Sequence, residues 1–247
     1  MYNAERLFGL IGYPLSHSFS KKYFTEKFEK EKIIDCRYEL FPISSITDLK
    51  TILETNSALS GLNVTIPYKE SIIQYLDGMS EAVSEIRACN CIRIVDGKLT
   101  GHNTDVIGFE EMIRPYLNPH HNKALILGTG GAAKAVAWVF KKIGIDYLYV
   151  SRFSGNNKIT YGEIDASVMD SYKIVVNTTP LGMAPNIEGT PDIPFNKASE
   201  QHLFIDLIYN PEMTRFLSLA SEKGATIVNG MKMLIIQAEE SWKIWNQ

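Results

Sequence analysis

Nine consecutive residues, Gly61-Leu62-Asn63-Val64-Thr65-Ile66-Pro67-Tyr68-Lys69, gather an amide, a hydroxyl and an amine into one short stretch. Asn63 and Thr65 are two apart, so on a strand they share one face, while Val64 and Ile66 turn the other way into a core. Pro67 has no N–H to give to a ladder and suits a strand end or the first turn of a helix. The stretch predicts a strand followed by a helix to about residue 76, with Lys69 in the first helical turn. A cation there is disfavoured by about 0.3–1 kcal/mol. That eases release of its proton, the property of an acid–base lysine working near neutral pH. The same residues also suit an ordinary strand, turn and helix with a solvated lysine. Asp105, after His102-Asn103-Thr104, opens a further predicted helix, as a capping carboxylate or as the partner of Lys69. Ser18 and Ser20 precede a helix predicted over about 21–31. One of them suits the N-cap, and two hydroxyls beside a helix N-terminus also make a seat for a carboxylate.

The elements that must hold these groups alternate. Strands are predicted over 7–11 and 37–41, helices over 21–31, 45–55 and 79–89, and a hairpin over 90–101 with an Asp96-Gly97 turn. Alternation of this kind makes a largely parallel sheet with crossover helices. Residues 112–122 carry two prolines and several polar residues, and mark a domain boundary. A second α/β pattern follows. An apolar strand over 123–127 runs into Gly128-Thr129-Gly130-Gly131-Ala132-Ala133 and a helix reaching Lys142. This is the dinucleotide fingerprint G-x-G-x-x-A in its expected strand–turn–helix setting. The next strand, 147–151, ends on Ser151-Arg152, where an NAD-binding chain places an acid on the ribose. With no acid there, a 2′-phosphate can pair with Arg152, which favours NADP; otherwise Arg152 is an exposed residue at a strand end. Strands over 174–177, 203–208 and 225–228 and helices over 213–223 and 231–246 complete the pattern. The loop Thr178-Thr179-Pro180-Leu181-Gly182-Met183 faces the cofactor crevice. In the last helix, Leu234, Ala238, Trp242 and Trp245 recur at packing intervals, and Gln237 is either solvated or a ligand contact.

Composition sets the outer limits. The 247 residues suffice for one large domain or two small ones, and a net charge of −3 argues against a broad nucleic-acid surface. The three cysteines cannot all pair with one another, and at this length they indicate a reduced, cytoplasmic setting. Cys89-x-Cys91 lacks a second ligand pair, and His120-His121 falls in a loop expected to be solvated, so no metal site is expected. No segment has the roughly 18 consecutive apolar residues of a membrane span. Glu5 and Arg6 interrupt any basic-then-apolar leader.

Taken together, His17-Ser18-Phe19-Ser20, Asn63 to Lys69, Asn103-Thr104-Asp105, Gly128 to Ala132, Asn177 to Met183, Tyr209-Asn210-Pro211 and Gly230-x-x-Met233-Leu234-x-x-Gln237 resemble the motifs of the shikimate dehydrogenase family, in family order and over nearly the whole chain. The resemblance implies an α/β fold of two domains. The first, 1–112 with the last helix 231–247 packed back on it, would be a substrate-binding, catalytic domain with a mostly parallel sheet. The second, 113–230, would be a Rossmann domain for NADP. The implied reaction is reversible reduction of 3-dehydroshikimate to shikimate by NADPH, a step of chorismate and aromatic amino acid biosynthesis. Ser18 and Ser20 would hold the substrate carboxylate, and Asn63, Thr65, Asn90, Asp105 and Gln237 its ring hydroxyls. Lys69 and Asp105 would form the catalytic pair, and Tyr209 would close over the substrate. Gly128, Thr129, Gly130, Gly131 and Ala132 would carry the pyrophosphate, Arg152 the 2′-phosphate. Thr178, Met183, Leu207 and Gly230 would complete the cofactor site, Met183 and Gly230 near the nicotinamide. The implied state is a cytoplasmic monomer or homodimer acting on a small molecule, with no nucleic acid, membrane or metal. Departures from the family pattern are Lys21 in place of proline, Ala88-Cys89-Asn90-Cys91 in place of Ala-Val-Asn-Thr, Val106 in place of glycine, and Phe153-Ser154 where a threonine and then a second arginine usually help hold the phosphate. The last opens a quinate/shikimate dehydrogenase using NAD or both cofactors as the alternative. A dinucleotide-binding sensor without turnover would leave Lys69 and Asp105 unexplained.

Overall fold

A computed structural model describes residues 5–15 and 18–247, so Ser16 and His17 of the first serine loop lie outside the described residues. Contacts divide the chain into two compact units, Met1–Thr104 with Ala238–Gln247, and Asp105–Gln237.

The first unit is built on a sheet of β1 (Arg6–Gly12), β2 (Cys36–Pro42), β3 (Leu59–Val64), β4 (Gly78–Met79), β5 (Cys91–Val95) and β6 (Lys98–His102), in the order β2-β1-β3-β5-β6-β4. β1 pairs in parallel with β2 and β3, and β4 with β6, whereas β5 is antiparallel to both its neighbours. β1 is apolar on both faces because both are covered. Leu7 and Ile11 enter a core with Leu49 and Ile52 of α2 (Leu49–Thr55) and Val83 of α3 (Glu81–Ile86). Phe8 and Leu10 enter another with Phe24 and Phe28 of α1 (Phe19–Glu31) and Ala238, Ile244 and Trp245 of α8 (Met231–Trp245). The end of the last helix is therefore part of this unit, as expected. Trp245 stacks on Phe8 with ring centroids 4.8 Å apart, and its Nε1–H donates to Ile92 O at 2.9 Å. A Cβ on Gly61 would lie 2.3 Å from that indole, so glycine is needed there for the ring to seat. The Asp96-Gly97 turn forms as read, with φ of 50° and 74°.

Several expectations in this unit need correction. The helix predicted over 67–76 is a turn followed by one 3-10 segment, Ser71–Tyr75. A non-local bond holds the turn: Lys69 O accepts from Cys89 N at 2.7 Å, while Ile73 N, the donor an α-helix would give it, goes to Glu70 O at 3.3 Å. Lys69 thus stands in a turn, and the helix-dipole argument for it falls. Ile66 lies beyond the end of β3 and is exposed. The helix predicted over 79–89 is only Glu81–Ile86, capped by Ser80 and stopped by left-handed Arg87.

The second unit has six parallel strands, β7 (Lys123–Leu127), β8 (Asp146–Ser151), β9 (Lys158–Thr160), β10 (Ile174–Asn177), β11 (Leu203–Asp206) and β12 (Thr226–Val228). Their order is β9-β8-β7-β10-β11-β12, that of a doubly wound dinucleotide fold. α5 (Gly131–Ile143), α6 (Ala166–Ser171) and α7 (Arg215–Ser221) flank them. β9 escaped the sequence reading because it is a three-residue edge strand. It follows β8 through Arg152–Asn157 with no helix between, closed by a bridge between Gly155 and Lys158.

The boundaries also differ from 112/113 and 230/231. α4 (Asp105–Ile113) belongs to the second unit, where Phe109 meets Phe140 of α5 edge to face at 5.5 Å and Glu110 accepts from Lys142 Nζ at 2.7 Å. The proline-bearing stretch follows the unit's first helix rather than preceding it. Within that stretch His121 is not solvated. It is 6% exposed, its Nδ1 accepts from Asn118 N at 3.0 Å, and burial leads the effects that push its pKa down.

Candidate functional site

In the first unit, β3 places Asn63 on the face toward α1 and α8, opposite buried Leu62 and Val64. Asn63 is 5% exposed, and three of its four hydrogen-bonding positions are taken within the protein. Its Nδ2 donates to Ser241 Oγ at 2.9 Å and to Asn90 O at 3.3 Å, and its Oδ1 accepts from Tyr38 OH at 2.9 Å. Burial holds the Tyr38 phenol well above the usual range, against an opposing hydrogen bond from Ser20, so it remains a donor. Asn90 accepts at Oδ1 from Thr104 N (2.7 Å) and donates from Nδ2 to Thr104 Oγ1 (3.0 Å). Asn63 and Asn90 therefore belong to one buried network, which half-buried Ser20 joins through Tyr38. Thr65 sits just past β3, with its N–H on Ile11 O at 3.0 Å. The turn carrying Lys69 is anchored three times: Tyr68 N to Thr65 O, Tyr68 OH to Ile43 O at 2.6 Å, and Cys89 N to Lys69 O. Lys69 is thereby fixed beside the segment that carries Asn90.

Ser18 occupies the N-cap position of α1, yet its side chain makes no capping bond. Its Oγ is buried and has no hydrogen-bond partner among the described residues. A buried hydroxyl left in that state is costly, and here it stands at the positive end of a 13-residue helix. A carboxylate would satisfy both.

In the second unit the expected cofactor residues gather at the carboxyl ends of the strands. β7 runs into Gly128, whose φ of +110° is the left-handed region that favours glycine. A Cβ there would also lie 2.7 Å from Thr178 Oγ1, which donates to Leu127 O at 2.6 Å. Gly130 is the N-cap of α5, and nothing lies within 4 Å of where its Cβ would be. Open space before backbone N–H groups at a helix N-terminus is what a pyrophosphate needs, so the turn from Gly128 through Thr129, Gly130 and Gly131 to Ala132 fits a dinucleotide. Buried Ala133 lets α5 lie close to the sheet. Arg152 is exposed at the end of β8, followed by Phe153, 75% exposed. Leu207 and Tyr209 follow β11, both half-buried, and burial raises the Tyr209 pKa. Met183 is exposed on the loop after β10. Gly230 meets Leu207 backbone to backbone. Asp105 is buried at the start of α4, and a Cβ on Gly108 in that helix would lie 3.3 Å from the Gln237 Cβ, so Asp105 and Gln237 come from two helices in close contact. Among the described residues, no group of His, Cys, Asp and Glu is arranged to hold a metal ion, and no disulfide joins the three cysteines.

The sequence reading missed Asp206, Tyr38 and Ser241. Asp206 has a signal, one carboxylate closing the apolar strand Leu203-Phe204-Ile205, whereas Tyr38 and Ser241 have none strong enough to name them. Asp206 is 0% exposed at the end of β11, where it accepts from Thr214 Oγ1 (2.7 Å), Ile208 N (3.0 Å) and Asn177 Nδ2 (3.1 Å). It thereby ties the loops after β10 and β11 together. Burial outweighs those bonds and lifts its pKa from 3.8 to about 6. The folded state then holds this proton more tightly than the unfolded chain does. The contribution favours folding fully below about pH 4, declines as pH rises to about 6, and is absent above. Its span is about 3 kcal/mol at 1.36 kcal/mol per pKa unit. Thermal melts across pH 4 to 7 should show this decline in the wild type relative to Asp206→Asn. Parallel curves for the two proteins would contradict it.

The chain is similar to known proteins over nearly its whole length. The profile of the shikimate dehydrogenase substrate binding domain matches residues 10–92. A shikimate dehydrogenase (NADP(+)) of Clostridium beijerinckii is 39% identical over 256 residues, covering 97% of this chain and 92% of that protein. Among solved structures, shikimate 5-dehydrogenase from Thermus thermophilus, in complex with NADP(H) and shikimate, is 29% identical with a TM-score of 0.85, covering 97% of this chain and 93% of its own. Quinate dehydrogenase from Corynebacterium glutamicum, in complex with NAD, is 27% identical with a TM-score of 0.87, covering 98% and 94%.

Proposed function

The chain belongs to the shikimate dehydrogenase family, and from that premise we propose that it catalyses reversible reduction of 3-dehydroshikimate to shikimate with NADPH, in the cytoplasm, as a step toward chorismate and the aromatic amino acids, as a monomer or homodimer. Among the described residues no helix is long and apolar enough to cross a membrane. The observation that carries the substrate side is Ser18: a buried hydroxyl at a helix N-terminus, with no partner among the described residues, asks for an anion. With Ser20 it takes the substrate carboxylate. Asn63, Thr65, Asn90, Asp105 and Gln237 take the ring hydroxyls, and Tyr209 closes over the ring. In this reading the first unit supplies Ser18, Ser20, Asn63, Thr65, Lys69 and Asn90 to the substrate, and the second unit supplies the dinucleotide site together with Asp105 and Gln237.

Bound NADPH supplies the hydride. Lys69, as ammonium, hydrogen-bonds the carbonyl oxygen, stabilises the negative charge that develops on it, and delivers the proton. Asp105 orients that amine and binds the neighbouring hydroxyl. The arrangement is general acid catalysis added to positioning. Gly128 to Ala132 cradle the pyrophosphate, with Thr178, Met183, Leu207 and Gly230 around the nicotinamide end.

Arg152 takes the 2′-phosphate. One charge-assisted bond of this kind is worth about 1.5–3 kcal/mol, so Arg152→Ala should raise the KM for NADP roughly 10- to 100-fold and leave that for NAD nearly unchanged. Equal effects on both cofactors would remove the assignment. A second reading, oxidation of quinate or shikimate with NAD, is favoured by the connection Arg152–Asn157, which has no helix and presents Phe153-Ser154 where a threonine and then a second arginine would help hold the phosphate. Initial rates with shikimate and quinate, each with NAD and NADP, test the proposal. Highest kcat/KM for shikimate with NADP supports it; preference for quinate with NAD supports the second reading; cofactor binding without turnover defeats both.

A further inference from the structure

The Asn63 carboxamide can be oriented from its surroundings alone. One end lies 3.3 Å from Asn90 O, a carbonyl that can only accept, so that end is the nitrogen. The second hydrogen of the same nitrogen goes to Ser241 Oγ at 2.9 Å, and Tyr38 donates to Oδ1 at 2.9 Å. Both donors of Asn63 and one of its two lone pairs are consumed inside the protein. The groups that consume them are buried on separate elements. Tyr38 comes from β2, stacked on Phe24 with centroids 4.6 Å apart. Ser241 is 0% exposed on the face of α8 that also carries Ala238 and Trp245 into the core, 3.4 Å from Thr104 Oγ1. A hydroxyl at such a position is tolerated only when it is bonded.

We propose that Ser241 and Tyr38 are positioning residues that lock the Asn63 carboxamide with its nitrogen turned inward, so that Asn63 meets a bound polyol acid as a hydrogen-bond acceptor and never as a donor. This rests on the reading of the site given above. A carboxamide free to flip accepts either a hydroxyl or a keto oxygen opposite it. A locked one selects a hydroxyl, because a ligand oxygen that can only accept would face Oδ1 unpaired. The selectivity is thus set from the last helix of the chain, by a residue that does not touch the ligand.

A kinetic cycle of Ser241→Ala, Asn63→Ala and the double variant tests this, with shikimate as substrate. Ser241→Ala should raise KM roughly three- to tenfold, the worth of one hydrogen bond, with kcat within about twofold. In the Asn63→Ala background it should raise KM no further. Tyr38→Phe, which acts from β2 rather than α8, should also raise KM, and the rise should shrink in the Asn63→Ala background to the part that comes from its hydrogen bond with Ser20, separating the lock from a general loosening of the helix. An unchanged KM in Ser241→Ala, or a full-sized rise on top of Asn63→Ala, overturns the proposal. A readout without turnover is solvent exchange of the Asn63 side-chain amide protons by NMR. Slow exchange in the wild type that speeds up in Ser241→Ala supports the lock, and fast exchange in the wild type overturns it. Absence of shikimate oxidation by the wild type would defeat the functional reading instead, while the amide exchange still decides the lock.

Discussion

Lys69→Ala should lower kcat for shikimate oxidation by roughly 10²- to 10⁴-fold, the range of general acid–base catalysis, while KM changes by only a few-fold. The split follows from what the amine does. Its hydrogen bond to the substrate oxygen strengthens as charge develops there, so its loss falls on the transition state and not on the bound ground state. The fold should survive the substitution, because the turn is held by backbone and by Tyr68: Tyr68 OH on Ile43 O, Cys89 N on Lys69 O. Steady-state kinetics with matched thermal melts check it. Losses of kcat and affinity in equal measure, or no loss, would remove Lys69 from the chemistry.

Gly230→Ala should be the most damaging single-methyl change in the second unit. A Cβ at 230 would lie 2.1 Å from Leu207 O, 2.6 Å from its carbonyl carbon and 3.1 Å from its Cα, all backbone atoms that cannot rotate away. The two segments are also pinned together by Gly230 N on Ile208 O at 3.1 Å. Relief requires moving the start of α8 away from the loop after β11. Overpacking of this kind costs about 1–3 kcal/mol, which at this chain length corresponds to a fall in melting temperature of about 2–12 °C. NADP affinity should fall with it, since both segments belong to the proposed nicotinamide end. Gly162→Ala, where nothing lies within 4 Å, is the matched control and should melt like the wild type. Equal melting of the two variants, with NADP affinity unchanged, would contradict the close-approach argument.

What could be read from the sequence was what local chemistry dictates. The Asp96-Gly97 hairpin turn, the strand–glycine–helix from 123 to 142 and the buried apolar strand at 7–11 all follow from nearest neighbours in the chain, and all are present. What could not be read was set by partners far away. The turn at Lys69 depends on Cys89, twenty positions on, and no periodicity within 67–76 reports that bond. His121 is buried because its ring lies 3.2 Å from Gln201 O across the second unit. α4 joins the second unit through Phe109 and Glu110, although the prolines that follow it look like the boundary. At the site, Asn63, Asn90 and Ser20 could be named from their motifs, but Tyr38 and Ser241, which hold them, carry no local signature strong enough to name them. They are visible only once β2, β3 and α8 are stacked.

The central claim is that Lys69 and Asp105 act as one acid–base unit. Its most direct measurement is kcat for shikimate oxidation with NADP in Lys69→Ala, Asp105→Asn and the double variant. Groups that work as a unit are non-additive: the double variant should be about as slow as Lys69→Ala alone. Losses that multiply, or an Asp105→Asn enzyme with wild-type kcat, would contradict it.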